Sequence, residues 1–301
     1  MNEISTLINS LQQGDFKALA RAISIVENDL EGSNEVLELI TIRSIPLIGI
    51  TGPPGAGKSS LVNAIVKILL HQNKKIGVVA VDPTSPFNFG SLLGDRIRMA
   101  EHFSNPNLFI RSLATRGSLG GLSEKIIEVT DVMRAAPFDF LFVETVGVGQ
   151  SEVEIAGLAD TTIVVMVPEG GDEIQTMKSG LLEIADIFVV NKSDHVDADR
   201  FASNLRHLSN EKMAHDWQIP IVKTIATSGE GIEELIAQIE KHKQSNAANN
   251  RKQFLIAEKV LRILVKEKMK GVNKKELLSA IQIAMQQGDF NLYRFAKKFL
   301  G

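Results

Sequence analysis

Cysteine is absent from this sequence, and its absence excludes disulfide bonds and thiolate-ligated metal centres. Histidine is sparse as well. The six histidines lie at positions 71, 102, 195, 207, 215 and 242, and no two of them have the spacing of metal ligands. A metal centre built from sulfur or clustered imidazole is therefore not expected.

A strong net charge and long apolar segments are also lacking. The formal net charge is −3, which gives no electrostatic reason to expect nucleic acid or a membrane surface as the main partner. No stretch approaches the roughly 20 apolar residues of a membrane span. The N-terminal sequence MNEISTLINSLQQGDF has neither the basic start nor the apolar core of a signal peptide. We expect a cytoplasmic protein without a nucleic-acid or membrane partner.

Apolar runs rich in β-branched residues dominate the middle of the chain. They are IPLIGI, KIGVVAV, NLFIRS, FDFLFV, TTIVVMV, IFVVN and PIVKTIA, and they alternate with helical patterns. Strands that are apolar throughout are buried on both faces, as in a parallel sheet covered by helices. The pattern predicts an α/β fold of three layers with a mainly parallel central sheet.

Helical sequence flanks this α/β region on both sides. We predict an N-terminal helical arm at 1–44, the α/β domain at 45–242 and a C-terminal helical extension at 243–301, which begins with the polar linker KQSNAANNRK. The pentapeptide Gln12–Phe16 recurs at Gln286–Phe290. Either both ends form similar helix-turn-helix hooks, or two glycine-broken helices share it by chance.

The chain is organised around the segment Ile45–Leu61, IPLIGITGPPGAGKSSL. It fits G-x-x-x-x-G-K-[ST] at every fixed position, between a predicted strand and a predicted helix, and this order disfavours a ligand-free glycine-rich turn. Backbone N–H groups of the loop and of the helix N-terminus are expected to surround phosphate oxygens, with Lys58 at the β and γ phosphates and Ser59 on Mg²⁺. The predicted phosphate-binding residues are Gly52, Pro53, Pro54, Gly55, Ala56, Gly57, Lys58, Ser59 and Ser60.

Acidic residues end two of the predicted strands. Asp82 follows KIGVVAV and Glu144 follows FDFLFV, and open α/β sheets bind ligands at the carboxyl ends of their strands. Each carboxylate alone could be a helix cap. Beside a phosphate loop, Glu144 is the candidate acid that holds Mg²⁺ directly or through water. Gly147 completes Glu-Thr-Val-Gly, where its N–H is expected to meet the γ-phosphate.

The next strand leads into a motif that identifies the base. Asn191-Lys192-Ser193-Asp194 matches N-K-x-D, in which the aspartate accepts guanine N1–H and N2–H, whereas adenine offers neither donor on that edge. This predicts GTP and GDP as the nucleotides. Thr227, Ser228 and Gly229 follow the last predicted strand, where GTPases often bring a backbone N–H to guanine O6.

Longer blocks resemble a known family. AVDPTSPFNFGSLLGDRIRM, TRGSLGGL, ETVGVGQSE and PEGGDEIQTMKSGLLEIADIFVVNKSD are similar to blocks of the MeaB-like (ArgK) GTPases. The resemblance implies a homodimeric P-loop GTPase that assists methylmalonyl-CoA mutase or a similar adenosylcobalamin-dependent mutase in cofactor loading and protection. It also implies Asp82, Asp95 and Glu144 as the carboxylates of the Mg²⁺ site beside Ser59.

The same resemblance assigns Lys178 to a third switch, Gly170–Lys178, that moves when a partner binds. Catalytic candidates are thus Lys58, Lys178 and Glu144, with Lys178 alternatively a solvated helix residue. Val148 stands where small GTPases carry the glutamine that orients water, so we expect a slow intrinsic rate, and Gln150 is a nearby candidate.

Three other classes of protein fit the sequence less well. A nickel-insertion GTPase would need cysteine or clustered histidine ligands, which are lacking. A P-loop kinase is disfavoured by the guanine motif and by the lack of an evident acceptor site. A GTP-dependent membrane-targeting protein would carry a basic or methionine-rich amphipathic helix, whereas the C-terminal helices have mixed charge and scattered methionine.

Overall fold

The computed structural model of the chain describes residues 3–82, 102, 104–114, 123, 125–145, 155–168, 181–210, 217–245, 256–258, 260–261, 263–265, 268–269, 271–288 and 290–297. The chain forms two compact units, Met1–Gln253 and Phe254–Gly301. Within the described ranges, no helix has the length and apolar character needed to cross a membrane.

A seven-stranded sheet forms the centre of the first unit. Its strands are β1 (Leu47–Thr51), β2 (Ile76–Asp82), β3 (Leu108–Ala114), β4 (Phe140–Glu144), β5 (Thr161–Met166), β6 (Ile187–Asn191) and β7 (Ile221–Thr224). They lie in the order β3-β2-β4-β1-β5-β6-β7, and every neighbouring pair is parallel. Each predicted apolar run overlaps one strand, so the predicted parallel α/β sheet is confirmed.

Helices cover both faces of this sheet. Among the described residues of the first unit they are α1 (Glu3–Gln12), α2 (Phe16–Glu27), α3 (Ser33–Leu39), α4 (Lys58–His71), α5 (Ile126–Ala135), α6 (Leu181–Ile184), α7 (Ala198–Asn210) and α8 (Ile232–Lys243). Leu61 of α4 and Leu235 of α8 share one buried cluster with Ile50 and Phe142 of the sheet. On the other face, helices α1, α2 and α5 share a cluster with Leu141. The three-layer arrangement is therefore as predicted.

The N-terminal helices bury their predicted apolar face. Leu19, Ala22, Ile23 and Val26 of α2 have no exposed surface and belong to the core of the first unit. The helix begins where it does because the Asp15 carboxylate accepts hydrogen bonds from the backbone N–H groups at positions 17 (2.8 Å) and 18 (3.3 Å). These helices are thus an integral layer of the first unit.

A buried polar cluster lies at the amino ends of β5 and β6, whereas the phosphate-loop and N-K-x-D motifs follow the carboxyl ends of their strands. His242, in the last turn of α8, has its Nδ1 atom 2.8 Å from the Thr161 hydroxyl at the start of β5. Its Nε2 atom is 3.5 Å from an Asp186 carboxylate oxygen. The Trp217 indole donates to the Asp186 carbonyl (2.8 Å) and meets the imidazole edge-on, with the ring centroids 4.8 Å apart. The cluster ties α8 to β5 and β6.

A surface ion pair links α7 to β7. The Lys223 ammonium donates to an Asp199 carboxylate oxygen (2.7 Å), and this bond and charge lower the pKa of the Asp199 carboxyl from its ordinary value. Both side chains are largely exposed, so the pair contributes little to stability.

The second unit contains α9 (Lys274–Gln286) and α10 (Leu292–Lys297), and 256–258, 260–261 and 263–265 are also helical. Large apolar side chains here are about half exposed or more; they are Ile256, Val260, Leu261, Ile263, Leu264, Val265, Met269, Leu278, Ile283, Met285, Leu292 and Tyr293. In both copies of the repeated pentapeptide a helix ends at the first glutamine, and Gly14 and Gly288 then adopt positive φ values of 97° and 78°.

Candidate functional site

The phosphate loop, Gly52–Ser59, joins β1 to α4. Gly52 and Gly57 have φ values of 142° and 86°, which side-chain-bearing residues rarely adopt. Space also excludes a side chain: a Cβ at Gly52 would lie 2.1 Å from the Val165 carbonyl oxygen, and one at Gly57 would lie 2.3 Å from the Asn191 amide nitrogen. These two glycines therefore fix how closely the loop packs against β5 and β6.

Lys58 is bound to the loop that precedes it. Its ammonium donates to the carbonyl oxygens of Gly52 (2.9 Å) and Pro53 (3.0 Å), and only 6% of the residue is exposed. A buried ammonium needs such acceptors to compensate for the water it loses. The bonds hold a positive charge within the turn of the loop, at the N-terminus of α4.

Ser59 and Glu144 meet beneath the loop. The Ser59 hydroxyl donates to a Glu144 carboxylate oxygen at 2.6 Å, and the two residues are 5% and 3% exposed. Asp82 ends the neighbouring strand β2, two residues beyond the Ala80–Glu144 register pair. Among the residues that the structure describes, no group of three or more acidic or histidine side chains is arranged to hold a metal.

Asn191 connects three segments at the carboxyl edge of the sheet. Its amide nitrogen donates to the Ala56 carbonyl of the phosphate loop (2.9 Å). Its amide oxygen accepts from the Thr224 hydroxyl (3.1 Å) and from the Ala226 backbone N–H (3.2 Å). One buried side chain thus joins the phosphate loop, the N-K-x-D segment and the segment after β7.

A cleft of about 510 Å³ opens beside Asn191. It is lined by Gly57, Ser60, Asn191, Lys192, Asp194, His195, Val196, Ile225, Ala226 and Thr227. Asp194 is exposed, and Val196 is 89% exposed. The lining combines polar groups with the apolar side chains of Val196, Ile225 and Ala226, a mixture that suits a planar base joined to phosphates.

Thr227 is the member of its predicted trio that lines the cleft. The backbone N–H groups of Ser228 and Gly229 donate to the Ile225 carbonyl at 3.1 and 2.9 Å, so they close a turn. Gly229 has a φ of 85°. The turn places residues 225–227 against the N-K-x-D segment.

The structure brings together the predicted phosphate loop, Glu144, Asn191, Lys192 and Asp194 at one edge of the sheet. The predicted residues Asp95, Gly147 and Lys178 lie outside the described residues, as do Val148 and Gln150.

Several residues at this edge are not predicted from the sequence. His195, Val196, Ile225 and Ala226 line the cleft, and Thr224 binds Asn191. Thr51 and Thr145 form a buried hydroxyl pair at 3.0 Å. All of these residues lie next to a recognised motif or at the end of a strand. Their position in the sequence is therefore the one feature from which they could have been predicted.

Comparison with known proteins agrees with this geometry. Residues 19–280 match the family described as "Methylmalonyl Co-A mutase-associated GTPase MeaB". A protein of Pyrococcus abyssi named "Putative GTPase" is 43% identical over 293 residues, which cover 95% of this chain and 89% of that protein. A mouse protein named "Methylmalonic aciduria type A homolog, mitochondrial" is 35% identical over 255 residues, which cover 77% of this chain and 61% of the mouse protein.

A solved structure shares the fold. The crystal structure of LAO/AO transport system kinase superposes with a TM-score of 0.69 and 24% sequence identity, covering 99% of this chain and 97% of that chain. The family match spans most of the chain and includes the phosphate loop and the guanine motif. The chain belongs to the MeaB family of methylmalonyl-CoA mutase-associated P-loop GTPases.

Proposed function

We propose that this chain is a Mg²⁺-dependent GTPase with a slow intrinsic rate that assists an adenosylcobalamin-dependent mutase, such as methylmalonyl-CoA mutase. The observation that carries the proposal is the bond from Asn191 to the Ala56 carbonyl (2.9 Å), because it joins the phosphate loop to the motif that distinguishes guanine from adenine. The family description and the name of the mouse relative support a mutase as the partner.

The proposed phosphate ligands are the backbone N–H groups of Gly55, Ala56 and Gly57 and the Lys58 ammonium, since Pro53 and Pro54 have no N–H to donate. Because two loop carbonyls already hold Lys58, its charge needs little reorganisation when negative charge develops on the γ-phosphate. The N-terminus of α4 adds the positive end of the helix dipole, with Ser60 lining the same cleft.

Ser59 and Glu144 fit a Mg²⁺ site, because a hydroxyl and a carboxylate, both oxygen ligands of the kind Mg²⁺ prefers, lie 2.6 Å apart. We include Asp82 and Asp95 in the proposed ligand set on the strength of the family resemblance. When bound, Mg²⁺ would neutralise charge on the β and γ phosphates. Glu144 is 3% exposed, so its burial would strengthen its attraction for a cation.

For the base, Asp194 would accept guanine N1–H and N2–H, and Thr227 with Ser228 and Gly229 would bound the site near guanine O6. Adenine would leave the Asp194 carboxylate without donors. Selectivity for GTP and GDP over ATP follows from those unpaired acceptors.

The switch parts of the proposal rest on residues outside the described ranges. Gly147 would contact the γ-phosphate and lose that contact on hydrolysis. Lys178 would approach the γ-phosphate only in the complex with the mutase, and Val148 cannot orient a water molecule as glutamine does. These residues together account for a slow rate that a partner raises.

We further propose a homodimer formed through the second unit, 254–301. The half-exposed apolar side chains of that unit, among them Leu261, Leu264 and Ile283, support an interface, since monomeric proteins rarely leave such a set in water. Sedimentation of the wild type and of the double variant Leu261→Glu/Leu264→Glu tests this interface. A monomeric wild type would contradict the dimer.

Labelled GTP tests the central proposal. The chain is incubated with GTP labelled at the γ-phosphate, alone and with an adenosylcobalamin-dependent mutase. Free labelled phosphate released slowly, and faster with the mutase, is the expected result. Transfer of label to another molecule would instead indicate a kinase, and equal binding of ATP and GTP in calorimetric titration would contradict the guanine assignment.

A further inference from the structure

Two buried threonine hydroxyls face each other where the phosphate loop and the Glu-Thr-Val-Gly motif leave the sheet. Thr51 is the last residue of β1 and directly precedes Gly52. Thr145 directly follows Glu144, the last residue of β4. Their Oγ1 atoms lie 3.0 Å apart, and the residues are 0% and 2% exposed.

The backbone reinforces this side-chain contact. Ile50 pairs in register with Glu144, and the Thr145 N–H donates to the Ile50 carbonyl at 3.0 Å. The hydroxyl bond therefore lies one residue beyond the last paired residues of β1 and β4. It extends the connection between these neighbouring strands to the point where both chains turn away.

The pair lies on the sheet face opposite the Mg²⁺-binding candidates. Successive strand residues point to opposite faces, so Thr51, with Thr145 bonded to it, lies on the face opposite Ile50, whose cluster contains Leu61 of α4. On that opposite face, a Cβ at Gly49 would lie 2.5 Å from Ile155 and 2.9 Å from Ala159. The pair therefore lies buried on the face of the sheet that packs against Ile155 and Ala159, opposite the proposed Mg²⁺ ligands.

Buried hydroxyl groups need partners, and a valine of nearly the same shape would pack there without one. We propose that the Thr51–Thr145 pair is a positioning device that sets the start of the Glu-Thr-Val-Gly segment relative to the phosphate loop. The inference rests on the proposed GTPase function. Gly147 lies two residues after Thr145, so the bond helps to determine whether its N–H meets a γ-phosphate anchored at Gly52.

The proposal predicts that substitutions of the pair change the affinity for GTP but not that for GDP. GDP has no γ-phosphate, so the position of Gly147 matters little for its affinity. Thr145→Val should leave GDP affinity within about twofold and reduce the affinity for a non-hydrolysable GTP analogue about tenfold, the size of effect expected for one buried hydrogen bond. Thr51→Val should do the same, and the double variant should lose no more than either single one, because both remove one shared bond.

Thr161→Val is the matched control. It removes a buried threonine bond, to His242, at the other edge of the same sheet, so it should lower stability without changing the ratio of the two affinities. Thr145→Ser keeps the hydroxyl and should restore the wild-type ratio. Calorimetric titration of GDP and the GTP analogue, with thermal unfolding of every variant, supplies the measurements.

The outcomes separate this inference from the proposed function. If wild type binds no guanine nucleotide, the proposed function fails. If wild type binds both nucleotides and the valine variants keep its affinity ratio, or change both affinities alike as Thr161→Val does, the hydroxyl pair has only a structural role. Should Thr145→Val not fold, Thr51→Val with Thr51→Ser tests the same bond.

Discussion

Asn191 shows how much of the site depends on a single side chain. Its amide makes three hydrogen bonds, to Ala56, Thr224 and Ala226, and only 3% of the residue is exposed. A buried amide with all these partners is rigid, and each partner left unsatisfied would cost about 1–3 kcal/mol. Asn191 therefore couples the position of the phosphate loop to that of the segment after β7, which lines the neighbouring cleft.

Asn191→Ala should weaken GTP and GDP binding together by about 10- to 100-fold, because both ends of the site lose their common anchor. Thr224→Val removes only one of the three bonds and should cause a smaller loss of the same kind. Calorimetric titration measures both. A variant Asn191→Ala that bound both nucleotides like wild type would show that the two segments are positioned independently.

Substitutions of Ser59 and Glu144 should have a different effect, because their contact lies beside the phosphate loop and not beside the N-K-x-D segment. Ser59→Ala and Glu144→Gln should each reduce Mg²⁺-dependent GTP turnover about tenfold or more, and should reduce guanine-over-adenine selectivity much less. Single-turnover hydrolysis over a range of Mg²⁺ concentrations provides the test. Unchanged turnover in both variants would place the metal elsewhere.

Individual site residues could be predicted from the sequence only where they belong to a motif. The phosphate loop and N-K-x-D have fixed spacings, so their residues can be named directly. The Thr51–Thr145 contact depends on β1 lying beside β4, although β2 and β3 come between them in sequence. Spacing along the chain carries no signal for that adjacency, and for the same reason it does not show that Ile225 and Ala226 line the cleft.

At the scale of elements, the strands follow from composition alone. The central runs are apolar on both faces, because helices cover both sides of a parallel sheet, whereas the edge strands β3 and β7 also carry Arg111 and Lys223. Ends are less well determined. The run TTIVVMV continues to Val167 whereas β5 ends at Met166, since strand ends depend on pairing with neighbours as well as on apolar character.

Helix α2 permits a direct test of an element's stability. Its N-terminal cap is the Asp15 carboxylate, so Asp15→Ala should lower the free energy of unfolding by about 1 kcal/mol. Asp15→Asn retains a side-chain acceptor and should lose much less. Urea unfolding of the three proteins measures the differences, and equal destabilisation by alanine and asparagine would mean that the charge, rather than the cap bond, stabilises the helix.

At the scale of the whole molecule, the decisive residue is Lys178. If its charge reaches the nucleotide only in the mutase complex, Lys178→Ala should keep GTP affinity and the slow basal rate while abolishing stimulation by the partner. A lysine fixed in the site would lower both rates in proportion.

Single-turnover GTP hydrolysis by wild type and Lys178→Ala, each with and without an adenosylcobalamin-dependent mutase, distinguishes these cases. Full stimulation of the variant would remove Lys178 from the mechanism. A wild type that no such mutase stimulates would count against the chaperone role and leave the GTPase assignment standing.

The buried cluster around His242 contains an intrinsic fluorophore, Trp217. Trp217 is the single tryptophan of the chain, so its fluorescence records one environment only. That environment is the corner where the indole meets the His242 ring at 4.8 Å, on the sheet edge away from the nucleotide motifs. The indole is held there by its bond to the Asp186 carbonyl, so its emission should change when α8 separates from β5 on unfolding, without any added label.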